Sequence, residues 1–205
     1  MTPAEGAPGA MLVVVSGPSG VGKDAILEVL QGLPGHTSHH YVVTCTTRER
    51  RPGEVDGRSY HFMDPEQFAA LRDAGGLLEA NEVHGNWYGT PRDQVVAALQ
   101  AGRHALLKID VQGAGVIRAR VPDALLIFVV PPSIETLAGR LKSRATETDD
   151  QLERRLRNAA DELARQHDYD YVVVNETGQL AGTAERIGQI IDLETARHAE
   201  RRVRI

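Results

Sequence analysis

The stretch GPSGVGKD, formed by Gly17, Pro18, Ser19, Gly20, Val21, Gly22, Lys23 and Asp24, has the spacing of a phosphate-binding loop except at its last position. In the pattern G-x-x-x-x-G-K-[ST], glycines let backbone N–H groups approach phosphate oxygens and the lysine reaches the β/γ oxygens. The Ser/Thr hydroxyl helps hold the magnesium ion that travels with the nucleotide. Here Asp24 stands where the hydroxyl belongs. Two readings are open for it. Asp24 faces magnesium or its waters, the ion being held mainly by phosphates and water, or it favours the first turn of the helix that follows.

A second constellation lies downstream. TCTTRERRPGEVDGRSYHF (44–62) places Arg48, Arg50 and Arg51 on a turn shortly before Tyr60. Guanidinium forks pair bidentately with phosphate oxygens and a phenol adds a neutral donor, so the set suits a monophosphate dianion. Taken alone, RERR reads as a solvated basic turn. LLEANEVHGNWYGT (77–90) then adds a carboxylate, a second tyrosine and a hydroxyl in Glu79, Tyr88 and Thr90.

These groups need a scaffold, and the chain's rhythm supplies one. Apolar runs at 11–15, 41–45, 105–110, 125–130 and 171–174 alternate with helix-period segments, which predicts an α/β fold with a parallel sheet covered by helices. The loop follows the first run and leads into DAILEVLQ, the context a phosphate loop requires. Asp64 and Pro65 with Gln67 open a helix that Gly75 closes. Thr90 and Pro91 are expected to open another ending at Gly102, and Ser133 one after Pro131 and Pro132. Leu152, Leu156, Ala160 and Leu163 mark a further amphipathic helix, and ETARHAERRVRI a charged final one. Residues 44–90 break the rhythm and read as a small β-rich insert.

Composition sets limits. The 205 residues carry a formal net charge of −5, which argues against a nucleic-acid coat protein but leaves room for a cationic pocket. LLIFVVPP is the best candidate for a membrane span, and its prolines stop it. Residues 1–10 read as a disordered tail without the order of a secretory signal. Cys45 is the one cysteine, which fits a reducing cytoplasm, and its strand position suits a small buried hydrophobe. HTSHH (36–40) reads as a polar connection rather than a metal site.

With these residues in view, the chain resembles guanylate kinase, the nucleoside monophosphate kinase that moves the γ-phosphate of ATP to GMP. The likeness runs from about residue 11 to 176 through TTRERRPGEVDGRSYHF, GNWYGT, IDVQGA, PPSIETLAGRL and DYVVVNE. It implies a nucleotide-binding core (11–43, 91–134 and 157–205), a GMP-binding insert over 44–90 and a mobile lid over 135–156. Arg48, Arg51, Tyr60 and Tyr88 would hold the GMP phosphate, and Thr44, Glu79, Thr90 and Asp110 would line the guanine pocket. Arg140, Arg144 and Arg155 would fold over the two nucleotides. Magnesium would enter with ATP, and no nucleic-acid or membrane partner is implied.

The chemistry of guanine agrees. Its N1–H and exocyclic amine lie side by side, and one ionised carboxylate accepts both, whereas adenine offers a bare acceptor that Glu79 would repel. Thr44 and Thr90 hydroxyls can donate to O6. Two alternatives compete: an interaction module of the same fold that has lost its phosphate loop, and a phosphate-loop kinase acting on a ribose bisphosphate. Retention of Gly17, Gly22 and Lys23 opposes the first, and the set Glu79, Tyr88 and Thr90 opposes the second. A second departure from the family accompanies Asp24. Lys108 occupies a position where the family usually has an acid, two residues before Asp110, and both side chains are expected to face the cleft from one strand. Asp24 and Lys108 thus form a candidate charge exchange.

Overall fold

The computed structural model describes residues 4–83, 85–142 and 149–205, with the main chain alone over 149–154. Strand β1 (Leu12–Ser16) runs into the loop and then α1 (Lys23–Gly32). Around β1 a parallel sheet assembles from β2 (His40–Tyr41), β7 (Ala105–Lys108), β8 (Leu125–Val130) and β9 (Tyr171–Val174), in the order β2-β7-β1-β8-β9. Alternation along β1 sends Leu12 and Val14 to one face and Val13 and Val15 to the other, and each face has its own buried cluster. Leu99, Leu107, Ile117 and Leu126 fill the first; Ile26, Leu30, Ile127 and Ile187 fill the second. Burial on both faces explains why the inner strands β1, β7 and β8 read as unbroken apolar runs, while the edge strand β9 leaves Val172 and Val174 exposed.

The second sheet takes the order β4-β3-β6-β5, from β3 (Cys45–Thr46), β4 (His61–Phe62), β5 (Leu77–Val83) and β6 (Asn86–Pro91). Helix α2 (Pro65–Asp73) packs against it. Its capping box is complete: Gln67 N donates to Asp64 Oδ1 at 2.8 Å and Asp64 N to Gln67 Oε1 at 3.2 Å, an arrangement worth about 1 kcal/mol. Cys45 is buried with Phe68 and Leu77, as a small hydrophobe would be.

The run 41–45 is not one strand. Val43 N donates to Gln94 Oε1 at 3.1 Å and Gln94 Nε2 donates to Val43 O at 3.1 Å. One side chain thereby satisfies the backbone where the chain leaves the parallel sheet for the insert. Gln94 lies on α3 (Arg92–Gln100), whose N-cap is Pro91; Thr90 stays in β6 and does not cap the helix. Likewise β7 ends at Lys108, and Asp110 is the N-cap of α4 (Val111–Arg120), its Oδ1 accepting from Gly113 N at 2.8 Å.

Helices α5 (Ile134–Lys142), α6 (Asp149–Ala164) and α7 (Leu180–Arg197) complete the fold. Ser133 Oγ accepts from Thr136 N at the start of α5. On α6, Ala159 is buried and Ala160 exposed, so the apolar stripe runs one residue earlier than expected, through Leu156 and Ala159. The final helix stops at Arg197. The segment after it pairs with the expected tail: Gly6 N donates to Val203 O at 2.9 Å, and Ala4 and Ile205 exchange both backbone bonds. Residues 4–10 are therefore structured, because burial of Ala10 and Val203 anchors both termini against the core. Among the described residues no helix is long and apolar enough to cross a membrane.

Candidate active site

The strand-to-helix turn after β1 has one geometry open to it. Gly17 has φ 141°, and a Cβ there would lie 2.2 Å from Val129 O, so only glycine fits. Lys23 curls back on the loop, its Nζ donating to Gly17 O at 2.5 Å and Pro18 O at 3.1 Å. Burial lowers its pKa, and Glu162, Asp24 and Asp110 act against that shift.

Helix α6 reaches this loop. Arg155 Nη2 donates to Ser19 Oγ at 3.0 Å, and Ser19 N donates to Glu162 Oε2 at 3.3 Å. Arg140 ties the same turn to the end of β9, donating to Val21 O at 3.3 Å and to Asn175 O at 2.9 Å. Arg144 lies outside the described residues. Asp24, in the first turn of α1, forms an ion pair with Lys108 Nζ at the end of β7. The two departures from the family pattern are therefore direct partners.

The arginine turn is organised around Glu54. Arg48 Nη2 bonds Glu54 Oε1 at 2.6 Å, and Arg51 N donates to Glu54 Oε2 at 2.8 Å while the Arg51 side chain is exposed. Burial would raise the Glu54 pKa, but the Arg48 hydrogen bond, with Arg51 behind it, holds the carboxyl below its ordinary value. The Arg48 guanidinium sits 5.5 Å from the Tyr60 ring centroid, and Tyr60 and Tyr88 meet edge-on with centroids 6.0 Å apart. Lys108 Nζ is 5.2 Å from the same Tyr60 ring. A contact chain thus runs from the phosphate loop through Asp24, Lys108 and Tyr60 to Arg48.

Glu79 lies on β5 beside this cluster and is only 3% exposed. Its cross-strand neighbour Thr90 donates to Oε1 at 2.7 Å, and Asn81 Nδ2 donates to Oε2 at 2.7 Å. Burial pushes its pKa up to about 7, against the lowering by those two hydrogen bonds; Asp110 adds to the rise. Thr44 is buried, with its carbonyl accepting from His61 N. The single Thr90 proton is directed at the carboxylate, so in this state Thr90 fixes Glu79 and does not await a ligand oxygen.

Four residues here were not anticipated. Asn81 lies two positions from Glu79 on one strand face, a spacing that could have flagged it. Glu54 follows Arg48 by six residues in a turn whose path sequence did not reveal. Gly113 leaves room for the carboxylate: a Cβ there would stand 3.0 Å from Glu79 Oε2. Glu162 is brought in by α6 from 143 residues away, with no local signal.

A family profile described as guanylate kinase matches residues 9–193. The guanylate kinase of Bordetella pertussis is 44% identical over 198 residues, spanning 97% of this chain and 90% of that one. That of Streptococcus agalactiae serotype III is 43% identical over 184 residues, spanning 90% and 87%. Among solved structures, the guanylate kinase from Anaplasma phagocytophilum aligns with a TM-score of 0.76 at 32% identity, over 95% of this chain and 91% of that chain.

Proposed function

Because the chain belongs to the guanylate kinase family, we propose how its own residues carry out the phosphorylation of GMP by ATP. It is an ATP:GMP phosphotransferase, and like other such kinases it works with a divalent metal, which we take to be magnesium. An oxygen of the GMP phosphate attacks the γ-phosphorus; the bond from that phosphorus to the β,γ-bridging oxygen breaks, and ADP leaves with the electron pair. GDP is the other product. No side chain acts as nucleophile, so positioning and cationic stabilisation carry the catalysis.

The loop from Gly17 to Gly22 and Lys23 hold the ATP phosphates. Residues 44–90 form the GMP-binding insert, in which Arg48, Arg51, Tyr60 and Tyr88 hold the acceptor phosphate. An anion there takes over Glu54's place on Arg48. Glu79, ionised and fixed by Thr90 and Asn81, accepts guanine N1–H and the exocyclic amine, with Asp110 and Thr44 bounding the pocket. Such a buried polar reader discriminates by about 10⁴ or more. The 2′-hydroxyl is not part of this set, so dGMP is also a substrate. Arg140, Arg144 and Arg155 belong to a lid over 135–156.

The loop's donor set fits magnesium sparingly: one carboxylate, Asp24, with its hydroxyl counterpart missing. Magnesium keeps several waters and leans on substrate phosphates, so a single carboxylate suffices. Bound there, the ion would neutralise charge on the β/γ oxygens. Both nucleotides are at hand in the cytoplasm, where we place the reaction.

The observation that carries this reading is the continuous path Asp24, Lys108, Tyr60, Arg48 between a phosphate loop and an anion cluster beside Glu79. A coupled assay supplying ATP with GMP, dGMP, AMP or ribose 1,5-bisphosphate tests it. Turnover of GMP and dGMP alone is expected; preference for the bisphosphate or for AMP would overturn it.

A further inference from the structure

Lys108 is held by groups from two different sites. Its Nζ pairs with Asp24, which follows Lys23 of the phosphate loop, and stands 5.2 Å from the ring of Tyr60, which shares the acceptor cluster with Arg48 and Tyr88. An ammonium between those groups lies between the two phosphate sites, where the transferred phosphoryl group passes. The lysine side chain is 21% exposed and the aspartate 77%. An ion pair with so exposed a partner contributes little to stability. It is therefore a weak reason for a lysine to be placed there, and an easy contact to exchange.

The anionic neighbour sharpens the point. A carboxylate following the loop lysine stands next to β/γ-phosphates and repels them unless a cation intervenes. Lys108, paired with Asp24, is the cation that can offset that charge. ATP phosphates carry more negative charge than one carboxylate and draw the same ammonium toward themselves.

Building on the kinase reading above, we propose that Lys108 is a catalytic residue, a phosphate-contacting cation that exchanges its contact with Asp24 for the oxygens of the transferred phosphoryl group. It keeps its protons throughout. The bond broken is γ-phosphorus to bridging oxygen, the bond formed is γ-phosphorus to the GMP phosphate oxygen, and Lys108 stabilises the charge spread over the equatorial oxygens between them. The competing role is charge cancellation alone, in which Lys108 matters only because Asp24 is present.

Lys108→Met, Asp24→Ser and the double variant separate the two roles. The readouts are kcat at saturating ATP, GMP and magnesium, and equilibrium binding of ATP in EDTA by calorimetry. K108M is expected to lose about 100-fold or more in kcat, and D24S to bind metal-free ATP about fivefold more tightly than wild type. The double variant stays as slow as K108M, because the cation is still missing. Recovery of wild-type kcat in the double variant would reduce Lys108 to a neutraliser and overturn the proposal. Should K108M fail to fold, the D24S measurement decides: binding in EDTA no tighter than wild type overturns the proposal too. Failure of the wild-type protein to phosphorylate GMP would instead defeat the kinase reading itself, before any variant is compared.

Discussion

Thr90 Oγ1 donates to Glu79 Oε1 at 2.7 Å from the directly paired position on the neighbouring strand. The hydroxyl has one proton to give, so this contact fixes the carboxylate's rotamer and leaves its outward lone pairs for guanine. With Asn81 on Oε2, both oxygens are aimed before a ligand arrives.

That arrangement has a pH signature. Burial raises the Glu79 pKa to about 7, so acid converts the acceptor into a hydroxyl that meets guanine N1–H donor to donor. The kcat/KM for GMP should fall about tenfold per pH unit below that value and level off above it. The KM for ATP should not follow. Glu79→Gln should remove the acid limb and lower kcat/KM for GMP by about 100-fold; a flat GMP profile in the wild-type enzyme would refute the assignment.

Thr90→Val and Asn81→Ala test the two donors. Each hydrogen bond lowers the Glu79 pKa, Thr90 by more than Asn81. Losing either should shift the acid limb to higher pH, further for T90V, while the high-pH plateau of kcat/KM falls by less than the value at neutral pH. A plateau that collapses with no movement of the limb would mean that these side chains hold the pocket's shape instead.

Gly113 offers a steric test on a different element. An alanine Cβ would sit 3.0 Å from Glu79 Oε2, within the range where a neighbour must give way. Gly113→Ala should raise the KM for GMP severalfold and leave ATP unaffected. Gly139 is the internal control: it is helical with nothing within 4 Å of its Cβ position. G139A should be neutral or stabilise the protein by up to about 1 kcal/mol. Thermal melting and GMP titration of both variants provide the comparison.

The sequence made the scaffold legible because the inner strands β1, β7 and β8 are buried on both faces, leaving the apolar runs of a covered parallel sheet. The phosphate loop was legible from its own glycine and lysine spacing. Arg48, Tyr60, Tyr88 and Glu79 stood out by residue type and took their separate roles from resemblance to the family; the structure brings Arg48, Tyr60 and Tyr88 into one cluster. What failed depended on distant partners. Gln94 decides where the strand at 41–45 breaks, and the C-terminal residues decide that 4–10 are ordered. Thr90 could be read as a helix cap or as a pocket residue, and only the pairing of β5 with β6 decides between them. Asp110 left its strand because its carboxylate caps α4.

The helix that approaches the phosphate loop should act mainly at the transition state. Arg155 Nη2 donates to Ser19 Oγ of that loop. Arg155→Ala and Arg144→Ala should each lower kcat by tenfold or more, on the order of the loss of one phosphate-directed cation, with little change in GMP affinity. Comparable losses in GMP binding and kcat would make these arginines substrate anchors.

Glu162 works in the opposite direction. Its Oε2 accepts the Ser19 N–H at 3.3 Å, a backbone donor of the loop proposed above to hold the ATP phosphates. Its charge is also the largest of the carboxylate influences holding Lys23 protonated. A carboxylate from α6 thus lies against the loop, and an ATP phosphate approaching the same donor would meet like charge. Glu162→Gln keeps the side chain's shape and removes that charge. It should tighten ATP binding several-fold at low ionic strength, with a smaller gain as salt screens the repulsion, while GMP affinity stays unchanged. Calorimetric titration with ATP at two salt concentrations checks this. If E162Q weakens ATP instead, the carboxylate is supporting Lys23 rather than competing for the loop, because the lysine's burial would then go uncompensated.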